Sequence, residues 1–152
     1  EVPALIEAAI QREDPDWQAS ALIAMGRSND ERWSEHVVRM ALSDDRDLRL
    51  EATRAAGELM LPDARLPLLR LLEEEDDPEI FSAIIWSLSQ IGGEDVRTYL
   101  TNLIDQTEDD EAVELIEDAL ANLAFTEDLE RFDLFALDPD AVDAVTRPGG
   151  LS

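Results

Sequence analysis

The feature that most constrains this chain is an internal repeat of about 32 residues. Residues 77–92 define it. Moved back by 32, the segment falls on 45–60, with Leu48, Ala52, Ala55, Ala56 and Leu59 at the matching apolar places. A further 31 back it falls on 14–28, with Trp17, Ala21, Ala24 and Met25. Moved forward by 32 it falls on 109–124, with Ala112, Leu115, Ile116, Ala119, Leu120 and Leu123. A repeat of this length holds one helix pair, too small to bury its apolar stripe alone, so neighbouring copies must stack.

Each copy opens on an aspartate: Asp14, Asp45, Asp77 and Asp109. Aspartate suits a helix start because its carboxylate accepts the unpaired amide hydrogens of the first turn. Pro15 and Pro78 follow where a missing N–H costs nothing. Gly26, Gly57 and Gly92-Gly93 fall near the ends of these helices, and positive-φ C-caps are expected there. Second helices are predicted over 31–43, 63–74, 94–106 and 127–136. Their buried faces read Val37, Val38 and Ala41, then Leu68, Leu69 and Leu72, then Tyr99, Leu100 and Leu103. Residues 2–12 match 65–75 and read as a second helix without its first, with Leu5, Ile6 and Ala9 on one face. That open end suggests more solenoid upstream or a partner that covers it. The expected fold is an all-α, right-handed α-solenoid (an α-α superhelix) of about nine helices over residues 1–137, with full repeats starting near 14, 45, 77 and 109. Residues 138–152 are expected to form an acidic cap and tail, with Val142 and Val145 on Phe132 and Phe135 and the end disordered.

Charge narrows the partners. The net charge is -25, and all twelve basic residues are arginine. Residues 1–71 carry 14 acidic and 9 basic side chains, and residues 72–152 carry 23 and 3. Such a field repels phosphate, which makes nucleic acid and anionic membrane poor partners and a basic protein surface a better one. A GC-rich genome or a high-salt cytoplasm would leave the same lysine-free, acidic signature. There is no cysteine, hence no disulfide or thiolate chemistry. No apolar run approaches the roughly 18 residues of a membrane span, and no signal-peptide pattern opens the chain. A cytoplasmic protein is the default expectation.

The pattern Asp-Pro-Glu-Ile, two variable positions, Ala, and a closing Leu and Ile-Gly at 77–92 resembles the HEAT-like repeats named after the phycobilisome lyases, which are about 31 residues long. Residues 2–8 look like the second-helix pattern of that family, and the resemblance runs from 2 to about 136. It implies a binding scaffold or adaptor, as most such proteins are, or in a minority of cases a lyase subunit that handles bilin chromophores. Fold analogy alone does not choose between them.

The chain departs from the pattern in one place. Positions that are usually polar in these repeats hold Phe81 and Trp86, and with Ile85 they make the helix at 77–92 apolar nearly all round. Such a helix is fully buried or carries a contact surface. Here the C-terminal segment covers Phe81, Ile85 and Trp86, or a partner does. A second candidate surface lies along the second helices. Repeat register aligns Glu7, Arg39, Arg70 and Thr101, and one turn earlier Glu35, Leu66 and Arg97. Arg39, Arg70 and Arg97 form a basic row suited to gripping carboxylates, unless neighbouring acids neutralise them.

Catalytic constellations are nearly absent. His36 is the single histidine and lacks the second histidine of a zinc-protease motif. The acid runs at 73–77 and 108–111 lack the spacing and glycine of a calcium loop, and Gly92-Gly93 reads as a helix stop rather than a phosphate loop. The expectation is a non-catalytic protein, without cofactor or metal, that binds another protein as an adaptor or assembly subunit. The alternatives are a bilin-lyase-like subunit and an acidic mimic of nucleic acid that blocks a basic protein. A mimic would bind in a strongly salt-dependent way, whereas an apolar patch would tolerate salt.

Overall fold

A computed structural model describes residues 2–137. Its elements run α1 (Val2–Gln11), α2 (Pro15–Ser28), α3 (Ser34–Ala41), α4 (Arg46–Glu58), α5 (Arg65–Glu74), α6 (Pro78–Ile91), α7 (Glu94–Gln106) and α8 (Asp110–Leu137). Short 3-10 turns at Glu31–Trp33 and Pro62–Ala64 lead into α3 and α5. The first helices α2, α4, α6 and α8 lie side by side, α1 packs on α2, and α3, α5 and α7 pack on their neighbours in that row. The chain is an all-α solenoid.

The aspartates explain where the first helices begin. Asp14 accepts from the backbone N–H of Asp16, Asp45 from Asp47 and Leu48, and Asp77 from Glu79 and Ile80. Asp109 accepts from Glu111 at 3.1 Å. Leu22, Met25, Ile80, Ile84, Leu88 and Ile116 from the first helices meet Val37, Leu68 and Leu100 from the second, all fully buried. At roughly 25 cal/mol per Å² of apolar surface, this continuous seam is the main force holding the repeats together.

Two expectations need correction. The fourth repeat is not a helix pair: α8 is one helix of 28 residues, so the described residues hold eight α-helices rather than about nine. The earlier first helices stop at a left-handed Asn29, at a break near Met60, or at Gly92-Gly93. Residues 122–128 contain no glycine or proline, and the helix runs on. Nor are Gly26 and Gly57 caps. Both lie inside helices, and among the described glycines only Gly92 and Gly93 have positive φ. Gly57 is bare because α6 passes too close. A Cβ there would sit 2.8 Å from Ser87 Cα and 2.6 Å from the Trp86 ring. The cap and tail expected at 138–152, with Val142 and Val145, lie outside the described residues, as does the side chain of Phe135.

Candidate protein-binding surface

The two joints that flank α6 differ, and the candidate surface arises from that difference. Toward α4, Ser87 Oγ donates to the Thr53 carbonyl at 2.6 Å in a fully buried contact. Arg46 Nε donates to Asp77 Oδ2 at 2.6 Å, and its Nη2 reaches Glu79. Arg54 also donates to Glu79, at 3.2 Å. The Arg46 guanidinium holds the Asp77 and Glu79 carboxyls below the usual carboxylate range, and its own pKa is raised in return. Alongside, Arg49 donates to both oxygens of Glu75, the least exposed ion pair among the described residues.

Toward α8 the packing opens. The one polar tie between α6 and α8 among the described residues is Asn122 Nδ2, at 3.5 Å from Ser89 O and 3.4 Å from its Oγ. These distances are at the limit of a hydrogen bond. A groove of about 350 Å³ remains between the helices, bordered by Ile85, Trp86, Ser89, Leu115, Asp118 and Asn122. The sequence accounts for this: α6 carries one charged residue, Glu79, so no ion pair draws the far ends of the two helices together.

The expected apolar trio is therefore divided. Ile85 is fully buried and forms core and groove wall, so it is no exposed contact residue. The same register position holds Leu22 in α2 and Thr53 in α4, both fully buried between neighbouring first helices. Phe81 is half-buried against the core. Trp86 is 40% exposed, with one edge packed toward Gly57 and the rest beside the groove. The pattern change at Trp86 is thus paired with a bare glycine in the preceding repeat.

The arginine row is divided as well. Arg97 Nη2 is 2.5 Å from Glu127 Oε2, and that bond raises the arginine's pKa while lowering the acid's. This arginine is spent inside the protein. Arg65 makes a related contact one repeat earlier, 3.0 Å from Asp95 but off the N–H axis. Arg39 donates to His36 Nδ1 at 3.2 Å, which places the histidine's proton on a buried Nε2 without a partner. Burial first, and the Arg39 charge second, hold His36 below its ordinary pKa. Arg70 is exposed and makes no ion pair among the described residues, and Leu66 one turn earlier is 55% exposed. Of the three, Arg97 is thus paired within the protein, Arg39 leans on His36 and Arg70 is exposed.

Sequence reasoning passed over the outer face of α8. Phe125, Leu129 and Phe132 are 63%, 49% and 71% exposed. Their spacing of i, i+4 and i+7 puts them on one side of the helix. That spacing was the available signal, hidden by dividing α8 into two helices. At the other end of the stack, Leu5 is 70% exposed and Trp17 49%, with the Arg12 guanidinium 4.5 Å above the indole.

No helix among the described residues is long and apolar enough to cross a membrane. No curated protein matches the sequence. The family described as HEAT repeats matches residues 39–121, more than half of the chain, from within α3 to within α8. HEAT repeats commonly serve as protein-interaction scaffolds and are generally non-catalytic. This chain belongs to the HEAT repeat family.

Proposed function

We propose that this protein is a non-catalytic scaffold that binds another protein through its first-helix side, around Trp86. The observation that carries this reading is a large aromatic residue, 40% exposed, bordering a groove between two helices. Half-buried aromatics beside a preformed cleft are the usual anchors of protein interfaces. The role is that of an adaptor or a subunit of an assembly. Its repeats are of the lyase type, on the 31- and 32-residue spacing of Asp14, Asp45, Asp77 and Asp109. Exposed Arg70 and Leu66 on the second-helix side form the rival surface.

Affinity capture from cell lysate at moderate and high salt tests the reading. Wild type is compared with Phe81→Ala/Trp86→Ala and with Leu66→Ala/Arg70→Ala, all of matched helicity. A partner retained at high salt and lost only by the first variant is the expected result. Loss only by the second variant moves the binding surface to the other side. A partner released by salt alone favours an acidic mimic.

A further inference from the structure

The apolar residues of α8 do not stand alone on their face. Glu111, Glu114 and Asp118 precede Phe125, Leu129 and Phe132 at spacings of three, four and seven, so all six share one side of the helix. All six are exposed. The face is acidic along its first turns and apolar along its later ones, and the α6–α8 groove, with Asp118 on its edge, runs beside the acidic part. Opposite faces of the same helix already hold Ile116, Ala119 and Leu123 in the core.

We propose that this face, with the groove beside it, is the docking site for a basic amphipathic helix of a partner protein. The proposal rests on the scaffold reading above and names the partner's chemistry. The partner helix carries arginine or lysine opposite Glu111, Glu114 and Asp118, and leucine or phenylalanine opposite Phe125 and Leu129. Charge selects this occupant. A second copy of the chain would bring another net charge of -25, with nine acidic residues and one arginine on α8 alone, against the same face. Like charges at such an interface oppose association, and opposite charges speed it. A helix laid along a helix also matches a long, narrow apolar stripe, which a globular surface does not.

The probe is a labelled helical peptide of about 18 residues, five turns, with arginines on one face of its first half and leucines on the same face of its second. It is titrated against the full chain and followed by fluorescence anisotropy. Wild type is expected to bind it, and Phe125→Ala/Leu129→Ala to bind about tenfold more weakly, as truncated anchors do. Asp118→Arg is expected to weaken it mainly at low salt, and a peptide with glutamate in place of arginine is expected not to bind. The altered side chains are exposed, so unchanged thermal unfolding separates binding from folding. Equal binding by wild type and Phe125→Ala/Leu129→Ala would overturn the proposal, as would no binding of the arginine peptide. A dimer in light scattering that Phe125→Ala/Leu129→Ala dissolves would name a second copy as the occupant instead. Tighter peptide binding by Val142→Asp/Val145→Asp would name the chain's own C-terminal residues. A lysate partner captured through Trp86 together with a peptide that fails to bind would sink this inference and leave the scaffold reading in place.

Discussion

The α4–α6 and α6–α8 joints share a helix and a register, yet one is closed and the other is open. At the closed joint, Gly57 lets the backbones approach, Ser87 bonds to Thr53, Arg46 and Arg54 reach acids in the next repeat, and Arg49 holds Glu75 just ahead of it. At the open joint, among the described residues, no arginine of α8 pairs with α6, the single polar tie is long, and a groove remains. Apolar burial, with the Arg97–Glu127 pair from α7, therefore holds the last repeat in line although α6 itself gives it only one long polar contact. Small residues, and arginines that reach from one first helix to the next, distinguish the joint without a cleft from the joint with one.

The largest effect that would break this comparison lies at Arg49 and Glu75. The Glu75 side chain is 5% exposed and Arg49 is 18% exposed. Glu75→Ala leaves a guanidinium largely out of water without its partner, and the expected loss is about 3 kcal/mol, the low end for breaking a buried pair. Urea unfolding measures it. A loss near zero would mean that the arginine swings out to water, and that this pair does not hold the closed joint.

Gly57→Ala comes next. Alanine normally favours a helix over glycine by about 1 kcal/mol. Here the added methyl meets the α6 backbone at 2.8 Å, a contact that no rotamer relieves. The expected net loss is about 2 kcal/mol, within the range for overpacking. At Gly26, the same place one repeat earlier, the nearest atom is the end of the flexible Glu58 side chain, so Gly26→Ala should cost less. Equal costs at the two sites would refute close backbone approach as the reason for Gly57.

A smaller contrast sharpens the picture. Ser87→Ala removes a buried hydrogen bond and should cost about 1 kcal/mol. Asn122→Ala removes only the long contacts across the open joint and should stay within about 0.5 kcal/mol of wild type, as surface substitutions do. Hydrogen exchange should agree, with amides of α4 and α6 protected most and the last turns of α8 least. Comparable costs for the two variants would mean that the open joint is tighter than its distances imply.

Much of the fold was legible because stacked repeats force the same chemistry to recur. The aspartate starts, the apolar columns and the second helices at 63–74 and 94–106 all follow from register. What was missed was set by neighbours rather than by local pattern. Gly57 reads as a helix stop until α6 is placed against it. Ile85 reads as surplus apolar surface until α8 is seen to make it core. Arg97 reads as free until Glu127, thirty residues later, comes into reach on a helix that was expected to have ended. The stripe on α8 was present in the sequence, but only for a reader who let that helix run on.

The smallest expected effect concerns protons at the closed joint. Arg46 lowers the pKa values of Asp77 and Glu79 below the usual carboxylate range. A carboxyl whose pKa falls on folding adds stability above its unfolded value, about 4, and loses that contribution as pH drops through the folded value. Acid also removes negative charge from a chain of net charge -25, which eases self-repulsion and hides the loss in any single curve. The difference between wild type and Arg46→Gln is the informative quantity. The urea midpoint of Arg46→Gln should lie slightly below wild type at about pH 7, and the gap should close as the pH falls through the lowered values of the two carboxyls. A gap that persists in acid would show that the arginine acts through its apolar stem rather than its charge. The closed joint would then be closed by packing alone, and the absence of arginine would no longer explain why the other joint is open.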